Sequence, residues 1–553
     1  MTQKKENNNF LIQGSILAVA GILVRVIGLI YRIPLNNILG REGIGYYSTA
    51  YDIYSILLLL SSQSMPLAVS KLVSARLAKN ENKNAYKMFK GALLYALVIG
   101  VFFGLLTYFG ADVLAELYKA PKCARALRVL APTLSIVSVI GVFRGYFQGM
   151  GQMGPTAISQ VLEQIVNAIV SVVAAYMLYE YGTAISGNAA SYSAAGGTLG
   201  TFLGAFTALI VLVYIFFRMR KDIIKDAQND TVSKKESYLT VSKLLVCTIT
   251  PVLLSTTIYQ IGNLVDNAIY GNIIVSLFDY TDKLKSEIWG VYSGSYKTLT
   301  TMPIAIASAI SLSIVPAVVK SFSEKNLDMV KRKIDMAIRF TMVIAIPCGI
   351  GLSVLGGPIN ILLFPSLGYQ DMTGKMMLFS VFTVVAFSLS TITNSILQGI
   401  DRLNAPIFNS GVSLIVHLFL LPVLLIVFKF DIYGVVIGDF LFSFMICALN
   451  ARAIKKYIGY NQEMKNTFLK PLMCGVIMGA ISYGVYYLLN TGLTVCGLGR
   501  VVSNDISVCI AIIIAVAVYF ATLIKSKGIS EDDLISFPKG NMIIALCKKM
   551  HLL

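Results

Sequence analysis

Charged and metal-binding side chains are scarce in this 553-residue chain. Only 13% of its residues are charged, against about 25% in an ordinary soluble domain. There are two histidines, His417 and His551, and none of the eight cysteines forms a CxxC pair. So few imidazoles and no paired cysteines argue against a zinc or haem centre and against a disulfide framework. We therefore predict no metal site and no cofactor.

Apolar residues make up 56% of the chain and are gathered in long runs. A helix needs about 20 such residues to cross a bilayer, and fourteen runs are long enough. The first is too long for a signal-peptide core and lacks a cleavage site, so we expect it to remain as a membrane helix. The chain is thus predicted to be an all-α polytopic membrane protein, with spans near residues 11–33, 46–70, 88–110, 127–147, 156–179, 190–217, 241–270, 288–319, 334–356, 376–398, 407–428, 432–453, 468–489 and 505–525.

The net charge of +18 is concentrated in alternate loops rather than spread along the chain. Basic residues crowd the segments after the second, sixth, eighth and twelfth runs, while the intervening loops are weakly charged or mixed. Cytoplasmic loops carry such an excess of lysine and arginine. Both termini are therefore predicted to be cytoplasmic, and the charge gives no reason to expect a nucleic-acid partner.

Two short motifs recur in the same order in each half of the chain. Met65-Pro66 in the second run matches Met302-Pro303 in the eighth, and Gln148-Gly149 ending the fourth matches Gln398-Gly399 ending the tenth. Six helices per repeat give both halves the same direction, which predicts two parallel lobes. We expect an N-lobe over 1–217, a basic linker over 218–240, a C-lobe over 241–453, and two further helices with a cytoplasmic tail over 454–553.

Several motifs together resemble one transporter family. They are Arg25-Val26-Ile27-Gly28 with Tyr31-Arg32-Ile33-Pro34-Leu35, Gly43-Ile44-Gly45-Tyr46-Tyr47, the Met-Pro-x-Ala element at residues 65–68, Pro155 with Ser159-Gln160 and Glu163-Gln164, and Leu-Ser-Ile-Val-Pro at 312–316. The pattern resembles the lipid II flippase and stage V sporulation protein B branch of the multidrug/oligosaccharidyl-lipid/polysaccharide (MOP) exporter superfamily.

This resemblance implies a fold, an activity and a location. It implies two six-helix lobes around a central cavity that opens to one side at a time, with the two extra helices forming a groove for a polyprenyl tail. The implied substrate is an undecaprenyl-diphosphate-linked peptidoglycan precursor, moved from the inner to the outer leaflet of the bacterial cytoplasmic membrane. We expect a monomeric transporter, not an enzyme, that acts in cell-wall synthesis.

A diphosphate head group in a low-dielectric cavity requires cations. Arg25 lies in the middle of the first apolar run and matches a cavity arginine of the family, and Lys297 lies where the flippases carry another basic residue. The two side chains are predicted to clamp the diphosphate, with a structural hydrogen bond as the alternative for Arg25 and snorkelling for Lys297. Arg32 and Arg144 are further candidates, although an interfacial position suits Arg32 and snorkelling suits Arg144.

Two departures from the family pattern affect the charge of the cavity. The chain has Asn167 where relatives are expected to carry a basic residue, and Tyr31 where some flippases carry a second arginine. The lipid-linked glycan that is moved is therefore left open.

Acidic residues within the apolar runs raise the question of ion coupling. Glu163 is predicted either to pair with an arginine or to carry a proton. Asp266 and Asp439 are candidates for a Na⁺ or H⁺ site in the C-lobe, and the alternative is simple solvation at helix ends. His417 is interpreted as a hydrogen-bonded core histidine.

Three other functions compete with transport of lipid II. A flippase for another polyprenyl-linked polysaccharide, such as a capsule, teichoic acid or spore-related precursor, shares every feature above. A multidrug cation antiporter would need an acidic cavity, and a membrane glycosyl- or acyltransferase would need catalytic groups beside large outer loops. No GxxxxGK[ST] motif is present, so the expected driving force is the membrane potential, cation coupling or both.

Overall fold

The protein is described by a computed structural model. It describes residues 16–526 and 528, except 18, 63, 186, 187, 234, 235 and 403. The C-terminal tail and the start of the first predicted span lie outside the described residues.

Every predicted span overlaps a helix, and the described residues contain no strand. Eleven helical segments are long and apolar enough to cross a membrane by themselves, with α2 and α3 counted together. The all-α polytopic architecture is confirmed. The helices are α1 (Val19–Ile30), α2 (Arg32–Ser61), α3 (Met65–Leu77), α4 (Asn82–Leu117), α5 (Ala124–Gly149), α6 (Gly154–Ile185), α7 (Ala189–Gln228), α8 (Tyr238–Phe278), α9 (Asp282–Val291), α10 (Thr298–Ser323), α11 (Leu327–Leu363), α12 (Gln370–Leu378), α13 (Ser380–Gly399), α14 (Asn404–Ile426), α15 (Ile432–Ile458), α16 (Lys470–Val495) and α17 (Arg500–Lys525).

The connection between the first two predicted spans is helical, contrary to the loop expected over 34–45. Pro34 lies in the first turn of α2, where a missing N–H costs little because the first four amides have no partner within the helix. Gly40 then bends α2 with φ of 62° and ψ of 177°, a conformation that suits glycine. The second predicted span is also interrupted, since α2 ends at Ser61 and α3 begins at Met65-Pro66.

The chain forms two compact units, Met1–Gly290 and Val291–Leu553. The core of the first includes an aromatic cluster in which Phe89, Phe143, Tyr146 and Phe216 join α4, α5 and α7, with ring centroids as close as 4.4 Å. The lobe and linker boundaries predicted from the internal repeat remain a proposal.

Close packing of α6 and α7 follows from the glycines of α7. A methyl group built at Gly196 would lie 2.3 Å from the Ala174 carbonyl oxygen, and one at Gly204 would lie 2.6 Å from that of Glu163. Such small-residue spacing lets membrane helices approach closely. It fixes the face of α6 that carries Glu163 and Asn167.

The core of the second unit joins α11, α13, α16 and α17. Gly475 and Gly479 of α16 contact Ile350 of α11, and the Tyr519 hydroxyl of α17 donates to the Val343 carbonyl at 2.8 Å. The C-terminal helix pair is therefore packed on α11.

Candidate functional site

Arg25 and Arg32 are separated by the break between the first two helices. Arg25 lies in the middle of α1 and Arg32 begins α2, and both residues are exposed. Arg32 lies beside the phenol rings of Tyr31, Tyr47 and Tyr51. The helix break thus places Arg32 at an aromatic cluster.

The tyrosines beside Arg32 are followed by a line of hydrogen-bonded polar groups. The Tyr47 and Tyr51 ring centroids are 4.7 Å apart, and the Tyr51 hydroxyl is hydrogen-bonded to Thr201. Thr201 donates in turn to the Asn167 side-chain oxygen at 3.4 Å, which also accepts from Ser171 at 2.9 Å. Asn167, which replaces the basic residue expected there, is a buried acceptor in this chain of groups.

Arg144 and Glu163 form an ion pair between α5 and α6. Arg144 Nη2 lies 2.6 Å from Glu163 Oε2, and Arg144 Nε donates to Ser159 Oγ at 3.1 Å. The two side chains are only 14% and 28% exposed. Of the two roles considered for Glu163, the structure displays the pairing with an arginine.

Lys297 and Asp439 both lie beside Tyr292, Lys297 over its ring and Asp439 at its hydroxyl. Lys297 ends a π-helical turn, Tyr292–Lys297, and its Nζ lies 5.4 Å from the centroid of the Tyr292 ring. The buried Tyr292 hydroxyl donates to Asp439 Oδ2 of α15. Two candidates predicted for different roles, a head-group cation and a coupling acid, are therefore neighbours in the second unit.

A buried lysine in the first unit was missed by the sequence analysis. Lys285 of α9 is fully buried, and its Nζ donates to the Tyr118 carbonyl at 2.8 Å and to Asn267 Oδ1 at 2.7 Å. Asn267 Nδ2 then donates to Asp52 Oδ2 at 2.8 Å. Asp266, a predicted coupling residue, directly precedes Asn267 and is also buried.

Glycines bring α2 and α9 into backbone contact beside this network. A methyl group at Gly45 would lie 1.9 Å from the Ser286 carbonyl oxygen, and one at Gly290 would lie 1.9 Å from that of Arg41. Arg41 also pairs with Glu287 at 3.0 Å. The second half of α9 is held on α2 by packing and by charge.

His417 is buried in α14, with its ring 5.4 Å from that of Phe442. Within the part of the chain that the structure describes, no group of three or more His, Cys, Asp or Glu residues has an arrangement suited to a metal ion.

A family model described as "Polysaccharide biosynthesis protein" matches residues 11–322, more than half of the chain. The chain belongs to this polysaccharide biosynthesis protein family. Its relatives include the lipid II flippase MurJ of Bacillus subtilis (strain 168), 25% identical over 494 residues that cover 87% of this chain and 89% of the relative. Stage V sporulation protein B of the same organism is 25% identical over 539 residues, covering 96% and 98%.

Solved structures of other proteins share the fold of this chain. A lipid II flippase MurJ in an inward closed conformation matches with a TM-score of 0.65 at 14% identity, covering 92% of this chain and 97% of that one. An inward-facing MATE multidrug transporter of the MOP superfamily also gives 0.65, at 15% identity, covering 79% and 94%. The predicted family is confirmed, and so is the prediction that the protein is a transporter rather than an enzyme.

Proposed function

We propose that the protein is a flippase for a polyprenyl-diphosphate-linked saccharide and that lipid II is its substrate. The observation that carries the proposal is the similarity to a lipid II flippase along 87% of the chain. The coarser part, a transporter of lipid-linked saccharides, draws further support from stage V sporulation protein B, which is similar over almost the whole length of both chains.

Arg25 and Lys297 are proposed as ligands of the diphosphate. An arginine in the middle of an apolar helix costs about 2.5 to 3.5 kcal/mol on insertion scales, which favours a function for it. Its planar guanidinium forms paired hydrogen bonds with phosphate oxygens, whereas a lysine acts as a point charge. Arg32, beside three tyrosines, is proposed as an interfacial contact for the head group.

The membrane potential favours movement of the anionic head group outward. Each negative charge that crosses an inside-negative membrane gains about 2.3 kcal/mol per 100 mV. Proton or sodium coupling through Glu163, Asp266 or Asp439 is an additional proposal. Glu163 pairs with Arg144, and Asp439 accepts a hydrogen bond from Tyr292. Protonation of either acid, or binding of a cation to it, would displace that partner.

The test is rescue of bacteria that have been depleted of their own lipid II flippase. Wild-type protein should restore growth, and Arg25→Ala should fail at equal membrane abundance. Lys221→Ala, in an exposed cytoplasmic segment by the predicted topology, is the matched control and should rescue fully. Well-expressed wild type that does not rescue would refute lipid II as substrate, and full rescue by Arg25→Ala would refute its cavity role.

Coupling requires a separate measurement. The membrane potential, the proton gradient and the sodium gradient are collapsed one at a time in cells, while exposure of lipid II at the outer surface is followed. Insensitivity to sodium would exclude a sodium site at Asp266 or Asp439.

A spore-related glycan is the second candidate, favoured by the 96% and 98% coverage with stage V sporulation protein B. In that case the protein should restore sporulation in cells that lack stage V sporulation protein B and should not restore growth after flippase depletion. The two rescue assays therefore separate the candidates.

A further inference from the structure

A cavity of about 620 Å³ lies in the second unit, where the end of α11 meets α12 and the α16–α17 pair. Under the topology predicted from the basic loops, this is the extracytoplasmic end of the helices. Amides, hydroxyls and one guanidinium line the cavity, from Gln370, Asn490, Thr491, Thr494 and Arg500. Ile361, Val495 and Val501 supply apolar surface.

One wall of the cavity is held in place by hydrogen bonds. The Tyr486 hydroxyl donates to Asn504 Oδ1 at 2.9 Å, and Asn504 Nδ2 donates to the Pro358 carbonyl at 3.2 Å. Asn504 is only 4% exposed. These bonds join α16, α17 and α11, so the wall is already in place before a ligand binds.

Other polar groups in the cavity have unused hydrogen-bonding capacity. Asn490 Oδ1 is buried and accepts no hydrogen bond from any residue that the structure describes. Leaving such an acceptor unmet costs about 1 to 3 kcal/mol. The Arg500 guanidinium is exposed and likewise makes no ion pair or hydrogen bond within the described ranges. Asn490 and Arg500 both line the cavity, and the Arg500 guanidinium is a cation there that needs an anion.

We propose that this cavity binds an anionic saccharide. A carboxylate or phosphate on the sugar would accept from the Arg500 fork, and the sugar hydroxyls would form hydrogen bonds with the amide and hydroxyl side chains that line the cavity. The apolar side chains suit the C–H face of the ring. The volume is within the range of about 300 to 1,000 Å³ that is typical of small-molecule pockets. The inference goes beyond the proposed function, because it holds whichever lipid-linked glycan is transported.

The test measures binding of three probes to the purified full-length protein in detergent. The probes are glucuronate, glucose and inorganic phosphate, titrated by ligand-observed NMR. Glucuronate should bind at least tenfold more tightly than either glucose, which lacks the charge, or phosphate, which lacks the ring. Arg500→Gln and Asn490→Leu should each weaken glucuronate binding about tenfold or more, and glucose binding should not respond to Arg500→Gln.

Lys525→Gln, at the opposite end of α17, removes the same charge away from the cavity and should leave all binding unchanged. Thermal melting of each variant checks folding, and Arg500→Lys should recover part of the binding if the charge is what matters. Equal binding of phosphate and glucuronate would reduce the site to a plain anion site and overturn the proposal. Absence of glucuronate binding, or binding insensitive to both substitutions, would also overturn it. Neither result would alter the rescue assay, so the proposed function is tested independently.

Discussion

At the scale of single residues, the Arg144–Glu163 pair should stabilise the packing of α5 on α6. Glu163→Gln leaves a mostly buried guanidinium without its counter-charge, and breaking such a pair costs about 3 kcal/mol. We expect the thermal midpoint of the purified protein to fall by several degrees. The charge-swapped double variant R144E/E163R should recover much of the loss.

Asp371→Asn is the matched control for this pair. Asp371 Oδ2 and Lys375 Nζ form a similarly close ion pair, 2.7 Å apart, but these side chains are 83% and 59% exposed. Exposed pairs contribute about 0 to 1 kcal/mol, so this variant should melt like wild type. If Glu163→Gln is equally neutral, the pair has no role in stability.

Lys285 provides a second prediction at this scale. Lys285→Met removes the donor to the Tyr118 carbonyl and to Asn267 Oδ1, and each buried acceptor left unmet costs about 1 to 3 kcal/mol. The thermal midpoint should fall by several degrees. Lys283→Met should have little effect, because the Lys283 side chain is 62% exposed and its ion pair with Glu42 is long, with 3.6 Å between Nζ and Oε2. Equal melting of the two variants would contradict a structural role for Lys285.

The sequence predicted single residues unevenly, for a physical reason. Arg25 was conspicuous because it interrupts an apolar run, whereas Lys285 lies in a charged segment, Asp282 to Glu287, that looks like solvated surface. A helical period does reveal it, since Ile288, Trp289 and Tyr292 follow at i+3, i+4 and i+7 and are buried with it. The Tyr292–Asp439 hydrogen bond joins residues far apart in the chain, so no local pattern predicts it.

At the scale of elements, Glu463 caps the first turn that leads into α16. Its carboxylate accepts from the backbone N–H groups of Asn466 and Thr467 and from Thr467 Oγ1. Partial burial acts to raise the pKa of Glu463, but these hydrogen bonds outweigh it and lower the pKa below the ordinary glutamate value of 4.5. The ionised form is therefore the one that stabilises the helix start.

This lowered pKa predicts a pH-dependent effect of Glu463→Gln. The stabilisation is present above the unfolded-state pKa and is lost as the pH falls through the folded-state pKa. At pH 7 the variant should lose about 1 kcal/mol, as on loss of a helix cap, and the difference from wild type should shrink towards pH 4. Thermal melting at several pH values measures it, with the exposed Glu324→Gln as control. A difference that stays constant with pH would exclude the carboxylate as its source.

Backbone contact between α2 and α9 gives a further prediction for these elements. Gly290→Ala would place a methyl group 1.9 Å from the Arg41 carbonyl oxygen, so one helix must move. We expect partial or lost rescue in the flippase-depletion assay and a lower thermal midpoint. Gly484→Ala is the control, because nothing lies within 4 Å of that position and alanine favours a helix. Unchanged rescue by Gly290→Ala would show that the contact is not needed.

Membrane helices were predicted well as elements because their apolar runs are long, while their ends were predicted less well. The loop expected over 34–45 is helical because Pro34 occupies a first turn and Gly40 bends the helix without ending it. Similarly, α9 begins at Asp282, before the apolar run at 288. Hydropathy detects the lipid-facing length of a helix, and it gives no signal for the polar turns that extend it.

At the scale of the whole molecule, the alternating basic loops assign a side of the membrane to every helix end. Cys496, exposed after α16, is predicted to be extracytoplasmic, and Lys455, exposed near the end of α15, to be cytoplasmic. A variant with the other seven cysteines changed to alanine should react with a membrane-impermeant maleimide in intact cells. The variant with all eight changed and Lys455→Cys should react only after permeabilisation. The opposite result would invert the orientation, and it would place the proposed saccharide cavity on the cytoplasmic side, where Arg500 could not meet an exported glycan.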